Sequence, residues 1–119
     1  MSDRVILQQI LKELRKTEKG WFKSFYLNPN EWVSPETNME WELCSGWINH
    51  INGTNSYFFA GSDENEKLFF YYGIPAASAH GPYPINLNGQ KVILRENDYF
   101  QFWGAVWSLF GFRVIERQL

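Results

Sequence analysis

The first apolar positions of the chain, Ile6, Leu7, Ile10, Leu11 and Leu14, recur at helical spacing and line one face of a helix over residues 3–17. Ser2 caps it, Lys12, Arg15 and Lys16 complement the dipole of its last turns, and Gly20 stops it. The period then changes. Residues 21–27 alternate loosely and read as a strand, and Pro and Asn mark loops at 28–31 and 34–38. Residues 39–51 form a longer strand with a bulge expected at Gly46, Asn52-Gly53 turns the chain, and 56–60 returns as the partner. A further turn at 61–65 leads into a third strand over 67–74, giving an antiparallel meander.

Residues 73–84 hold Pro, Ala and Gly and predict an irregular segment. A second hairpin centres on Asn88-Gly89 and places Ile85, Leu87, Val92 and Leu94 on one face. Asn97 or Asp98 then caps a helix over 99–110. Phe100, Phe102, Trp103, Val106, Trp107, Leu109 and Phe110 surround that helix, which predicts burial on most sides. Gly111 ends it, and a short last strand covers 112–116. The expected fold is α+β, a single domain over 1–119. It has an N-terminal helix, an antiparallel sheet of about five to six strands built from hairpins, and a buried C-terminal helix before the last strand.

Composition changes this picture in one respect. Aromatic residues make up 18% of the 119 positions. A globule this small has limited fully buried volume, so some of these rings must lie at the surface. One cysteine excludes a disulfide within the chain. No apolar run approaches the roughly 18 residues of a membrane span, and the opening residues read as a charged helix instead of a signal-peptide core. A cytoplasmic, membrane-free protein is the expectation.

Charge is uneven. Residues 1–23 carry six Lys or Arg and three acids, whereas residues 30–67 carry seven acids and Lys67 alone. Strict alternation places Glu40, Glu42, Cys44, Ile48 and His50 on one strand face, and the Asn52-Gly53 turn adds Tyr57 and Phe59 to it. A face that mixes carboxylates with rings suits a basic protein partner: rings supply desolvated anchors, acids supply steering. The expected contact residues are Glu40, Glu42, Asp63, Glu64 and Glu66 for charge, with Trp32, Trp41, Trp47 and Tyr57 as anchors.

Chemical motifs are lacking. Cys44 and His50 stand about 20 Å apart on a regular strand, beyond the reach of a thiol–imidazole pair. Spacings of 6 and 30 between Cys44, His50 and His80 match no zinc pattern. Phosphate-binding glycine loops and a nucleophile elbow are absent, so no catalytic residue, metal or cofactor is expected. The aromatic hairpins carry carboxylates where nucleic-acid-binding sheets carry Lys and Arg, which argues against a nucleic-acid partner.

In size, acidity, aromatic content and want of a catalytic constellation, the chain resembles the bacterial immunity proteins that neutralise a cognate toxin domain. That resemblance implies tight, one-to-one, non-catalytic binding that covers a toxin's active site or blocks it from a nearby surface, and an acidic surface is one that can occupy a nuclease's phosphate-binding groove. Two alternatives stand beside it. One is a small-molecule-binding or enzymatic α+β domain with an aromatic pocket and Cys44, His80 and Tyr83 as polar groups. The other is a self-associating subunit, such as a homodimer, with the 99–110 segment buried between copies.

Overall fold

The computed structural model describes residues 3–10, 20–62 and 67–119. Residues 3–10 form a helix, α1. The strands that follow are β1 (Trp21–Leu27), β2 (Trp32–Val33), β3 (Met39–His50), β4 (Ser56–Ser62), β5 (Lys67–Ile74), β6 (Gly81–Pro84), β7 (Ile93–Leu94), β8 (Asp98–Trp103) and β9 (Leu109–Gln118). They make two antiparallel sheets. Sheet A runs β1-β9-β3-β6, with β7 also on β3, and sheet B runs β2-β8-β4-β5.

Period-2 alternation makes each strand two-faced. On β9, Phe110, Phe112 and Val114 are buried, and on β8 Phe100 and Phe102 are. These rows meet across the two sheets. Phe58 of β4 stacks on Phe110 at 4.3 Å between centroids, and Phe100 meets Phe112 edge-on at 5.0 Å. Trp41 of β3 lies parallel to Phe100 at 6.4 Å. The core of this sandwich is therefore largely aromatic, and each fully buried Phe contributes about 1.5–3 kcal/mol of transfer free energy. Beside it, Glu116 is buried, accepts the Trp41 indole N–H at 2.8 Å and pairs with Lys23 at 3.2 Å.

The expected α+β fold is corrected here. Residues 99–110 form no buried helix: they supply most of β8, a turn and the start of β9. Their apolar character on all sides reflects a strand whose two faces both carry rings, Phe100 and Phe102 inward, Tyr99 and Trp103 outward. The single sheet of five to six strands is likewise replaced by two sheets. The last strand is twice as long as the 112–116 expected, and it is central in sheet A.

Both expected hairpins change in kind. The turn at Gly53 (φ 108°) joins β3 to β4, yet these strands do not pair, because β3 belongs to sheet A and β4 to sheet B. The segment is a corner between sheets. It is tied to the β5–β6 connection by Asn52 Nδ2 donating to Ala76 and Ser78 carbonyls and by the Asn52 N–H donating to His80 Nδ1. The Asn88-Gly89 turn does close, with the Gln90 N–H on the Leu87 carbonyl and both central residues at positive φ. Its arms, however, lie along β3 instead of along each other: β6 pairs with residues 47–50, β7 with 41–42.

The bulge in β3 falls between Leu43 and Ser45, making Cys44 the inserted residue where Gly46 was expected. One extra residue reverses the parity of the strand. Trp41 and Leu43 point inward before it, Ile48 and His50 after it, so Glu42 and Trp47 share the outer face. In α1 the apolar positions Ile6, Leu7 and Ile10 are exposed. The rest of the expected helix, residues 11–17, lies outside the described residues.

Candidate functional site

The outer face of sheet B is the feature of greatest chemical interest. Register fixes its membership: Trp32 of β2 lies beside Gln101 of β8, which lies beside Phe59 of β4, which lies beside Tyr71 of β5. In the next row Trp103 pairs with Tyr57, and beyond Gln101 on the other side Tyr99 pairs with Gly61 and Gly61 with Leu68. Apart from the tyrosine hydroxyls, Gln101 supplies the one polar side chain among these positions, and none of them is charged.

The rings of this face pack on one another. Tyr57 is the hub, near-parallel to Trp103 at 6.3 Å and to Phe59 at 6.2 Å, and 5.8 Å from Tyr71. Mutual contact leaves Tyr57, Phe59 and Tyr99 half-buried, whereas Trp32 is 62%, Tyr71 59% and Trp103 38% exposed. Gly73 makes room for this arrangement, since a Cβ there would come within 2.7 Å of the Tyr71 hydroxyl. Beside Tyr71 and Gly73 an open hollow of about 260 Å³ reaches Asn55 and Pro75.

Beyond Trp103 the chain leaves sheet B through a tight turn, closed by the Ser108 N–H on the Ala105 carbonyl at 2.9 Å. Its tip carries Val106 and Trp107, 73% and 85% exposed. Trp107 adopts φ 74°, a left-handed conformation rare for a bulky side chain. A residue held in that region while offering its ring to water gains nothing visible from the fold itself.

The residues expected to act together are dispersed. Trp41 is in the core. Trp32 and Tyr57 belong to the outer face of sheet B, while Trp47, Glu40 and Glu42 belong to the outer face of sheet A, on the opposite side of the sandwich. Glu40 accepts from Arg95 Nε and Nη2 at 3.1 and 3.0 Å, and Glu42 accepts from Arg117 Nη1 at 3.0 Å. Both carboxylates thus have cationic partners within the chain. Asp63, Glu64 and Glu66 lie outside the described residues. Sequence reasoning put Phe59 on the partner face with Tyr57 but not among the anchors, and passed over Tyr71, Tyr99 and Trp103. Their signal was the run of rings without charge in 56–60, 69–73 and 99–103.

Groups with catalytic chemistry are placed as structure. His50 Nδ1 lies 2.8 Å from the Ser56 hydroxyl, but both residues are fully buried and His50 Nε2 has no partner among the described residues. A serine–histidine relay needs substrate access and a third group on the second ring nitrogen; burial denies the first, and no described residue supplies the second. His80 Nδ1 accepts the Asn52 N–H in the inter-sheet corner, and Tyr83 donates to the Ala79 carbonyl. Burial, followed by the Glu42 carboxylate, pushes the Cys44 thiol above its ordinary value, the reverse of nucleophile activation. Among the described residues, no three His, Cys, Asp or Glu gather as a metal site, and no helix is long and apolar enough to cross a membrane. No protein-family model, curated protein or solved structure matches the chain.

Proposed function

We propose that this chain is a non-catalytic binding domain that engages a protein partner through the outer face of sheet B. One observation carries the reading: a sheet face in which Trp32, Tyr57, Phe59, Tyr71, Tyr99 and Trp103 stand with no charged residue among their register partners. Each such ring offers about 150–250 Å². The exposed part of the face is therefore on the order of several hundred square ångströms, the scale of a functional patch. Trp and Tyr are the side chains that anchor interfaces, because a large rigid ring is desolvated at small entropic cost.

The partner's matching surface is apolar and flat, with hydrogen-bond capacity for Gln101 and the tyrosine hydroxyls. Nucleic acid is disfavoured because stacking faces for it are flanked by Lys and Arg. Neutralisation of a toxin is one form such binding takes. Glu40 and Glu42, already paired with arginines, carry less of this reading than the rings do.

The test is capture from the native cell with three forms of the full chain: the unaltered protein, Tyr71→Ala/Trp103→Ala, and Glu40→Lys/Glu42→Lys. One protein recovered in near-equal amount with the first and third, and lost with the second, is expected. Recovery lost with the glutamate variant but kept with the aromatic variant would overturn the reading. So would a stable dimer of this chain that the aromatic variant dissolves.

A further inference from the structure

The opposite side of the sandwich holds a smaller and chemically different feature. On the outer face of sheet A, Arg113 of β9 is flanked in register by Ser24 of β1 and Ser45 of β3, and the next row places Gly111 between Tyr26 and Trp47. Because Gly111 has no side chain, the Trp47 indole lies over its backbone; an added Cβ would meet Cε2 and Cζ2 at 2.7 and 2.8 Å. Tyr26 meets that indole edge-on at 6.2 Å. Between the aromatic row and the polar row is a hollow of about 210 Å³.

Arg113 is fixed from one side only. Its guanidinium stacks 3.9 Å above the Phe22 ring, which orients the planar group. Among the described residues it has neither a carboxylate partner nor a hydrogen bond, unlike Arg95 and Arg117 on the same chain. The Ser24 and Ser45 hydroxyls beside it are also without hydrogen-bond partners among the described residues. An oriented arginine fork between two free hydroxyls recognises a carboxylate, since the fork matches its two oxygens. The indole and phenol one row away offer ring faces and edges for stacking.

We propose that this hollow binds a small monocyclic carboxylate: the anion on Arg113 with Ser24 and Ser45, the ring against Trp47 and Tyr26. The volume suits one ring, since drug-sized ligands occupy pockets of roughly 300–1,000 Å³. An acidic sugar and an aromatic acid share this chemistry. The site is independent of the sheet B face, which lies on the other side of the core.

The full chain would be titrated with glucuronate, benzoate, glucose and benzyl alcohol, each to millimolar concentration, while ¹H–¹⁵N spectra follow the Trp47 indole N–H and the Gly111 amide. Saturable shifts with at least one of the two acids, and none with its neutral counterpart, are expected. Response to glucuronate alone assigns a sugar acid, to benzoate alone an aromatic acid. Arg113→Gln should weaken that binding tenfold or more with the remaining spectrum unchanged, and Trp103→Ala should leave it as it is. Neutral compounds binding as well as the acids, resonances of Trp47 and Gly111 that no acid moves, or full affinity in a folded Arg113→Gln protein would each overturn the proposal.

Discussion

At the scale of single residues, the side chains that hold the fold and those that project from it obey different accounts. Glu116 illustrates the first kind. Its buried carboxylate serves both Trp41 and Lys23. Glu116→Ala leaves the indole N–H without an acceptor, which costs about 1–3 kcal/mol. Glu116→Gln keeps an acceptor oxygen and should lose clearly less, as read by urea denaturation. Trp107 illustrates the second kind. Its left-handed backbone costs roughly 1–2 kcal/mol, and its exposed ring recovers little of that. Trp107→Asn, which tolerates the same φ, should raise stability by about 1 kcal/mol in thermal melts. If the ring belongs to the contact surface, the same variant should weaken partner binding tenfold or more. Cys44 should resist alkylation at neutral pH in the folded chain, because a raised thiol pKa leaves little thiolate. Its rate should climb only on the alkaline side of an ordinary cysteine, and a fast reaction at pH 7 would contradict the placement.

At the scale of elements, alternation was legible wherever one face of a strand differs from the other, and misleading where both faces are apolar. Strands near 21–27, 39–50, 56–62 and 67–74 could be read because polar residues or turn signals bound them. Residues 98–103 could not, because Phe100 and Phe102 inward and Tyr99 and Trp103 outward leave Gln101 alone to mark the outer face, too little to set the period. A helix with rings all round and a strand with rings on both faces look alike in one dimension. Pairing partners were hidden for another reason. The Asn52-Gly53 signal specifies a tight turn, but whether its arms pair or part into two sheets is decided by non-local contacts. Here β9 and β8 take the edges that β4 and β3 would have offered each other. The inserted Cys44 completes the list, since one bulge residue moved Trp47 outward and Ile48 and His50 inward. Packing across the sheets should then be costly to cut: Phe58→Ala, opposite Phe110, should lose about 3–5 kcal/mol, measured as a shift in denaturation midpoint.

At the scale of the whole molecule, the sandwich separates two chemistries. Sheet A turns outward the arginines, the paired glutamates and a hollow between Trp47 and Arg113; sheet B turns outward rings without charge. The sequence places acids and rings in the same segments, and the third dimension sends many of them to opposite sides. Binding through sheet B should therefore depend little on ionic strength. Raising salt from about 0.1 M to 1 M, which shortens the Debye length from about 10 Å to about 3 Å, should change Kd by no more than about twofold. A loss of tenfold would point to the carboxylates instead. Covalent side-chain footprinting of the chain alone and with its captured partner is the most direct measurement. Trp32, Tyr71 and Trp103 should be labelled when free and protected in the complex, with Trp41 unlabelled throughout. Protection confined to Trp47, Glu40 and Glu42, with the sheet B rings still labelled in the complex, would contradict it.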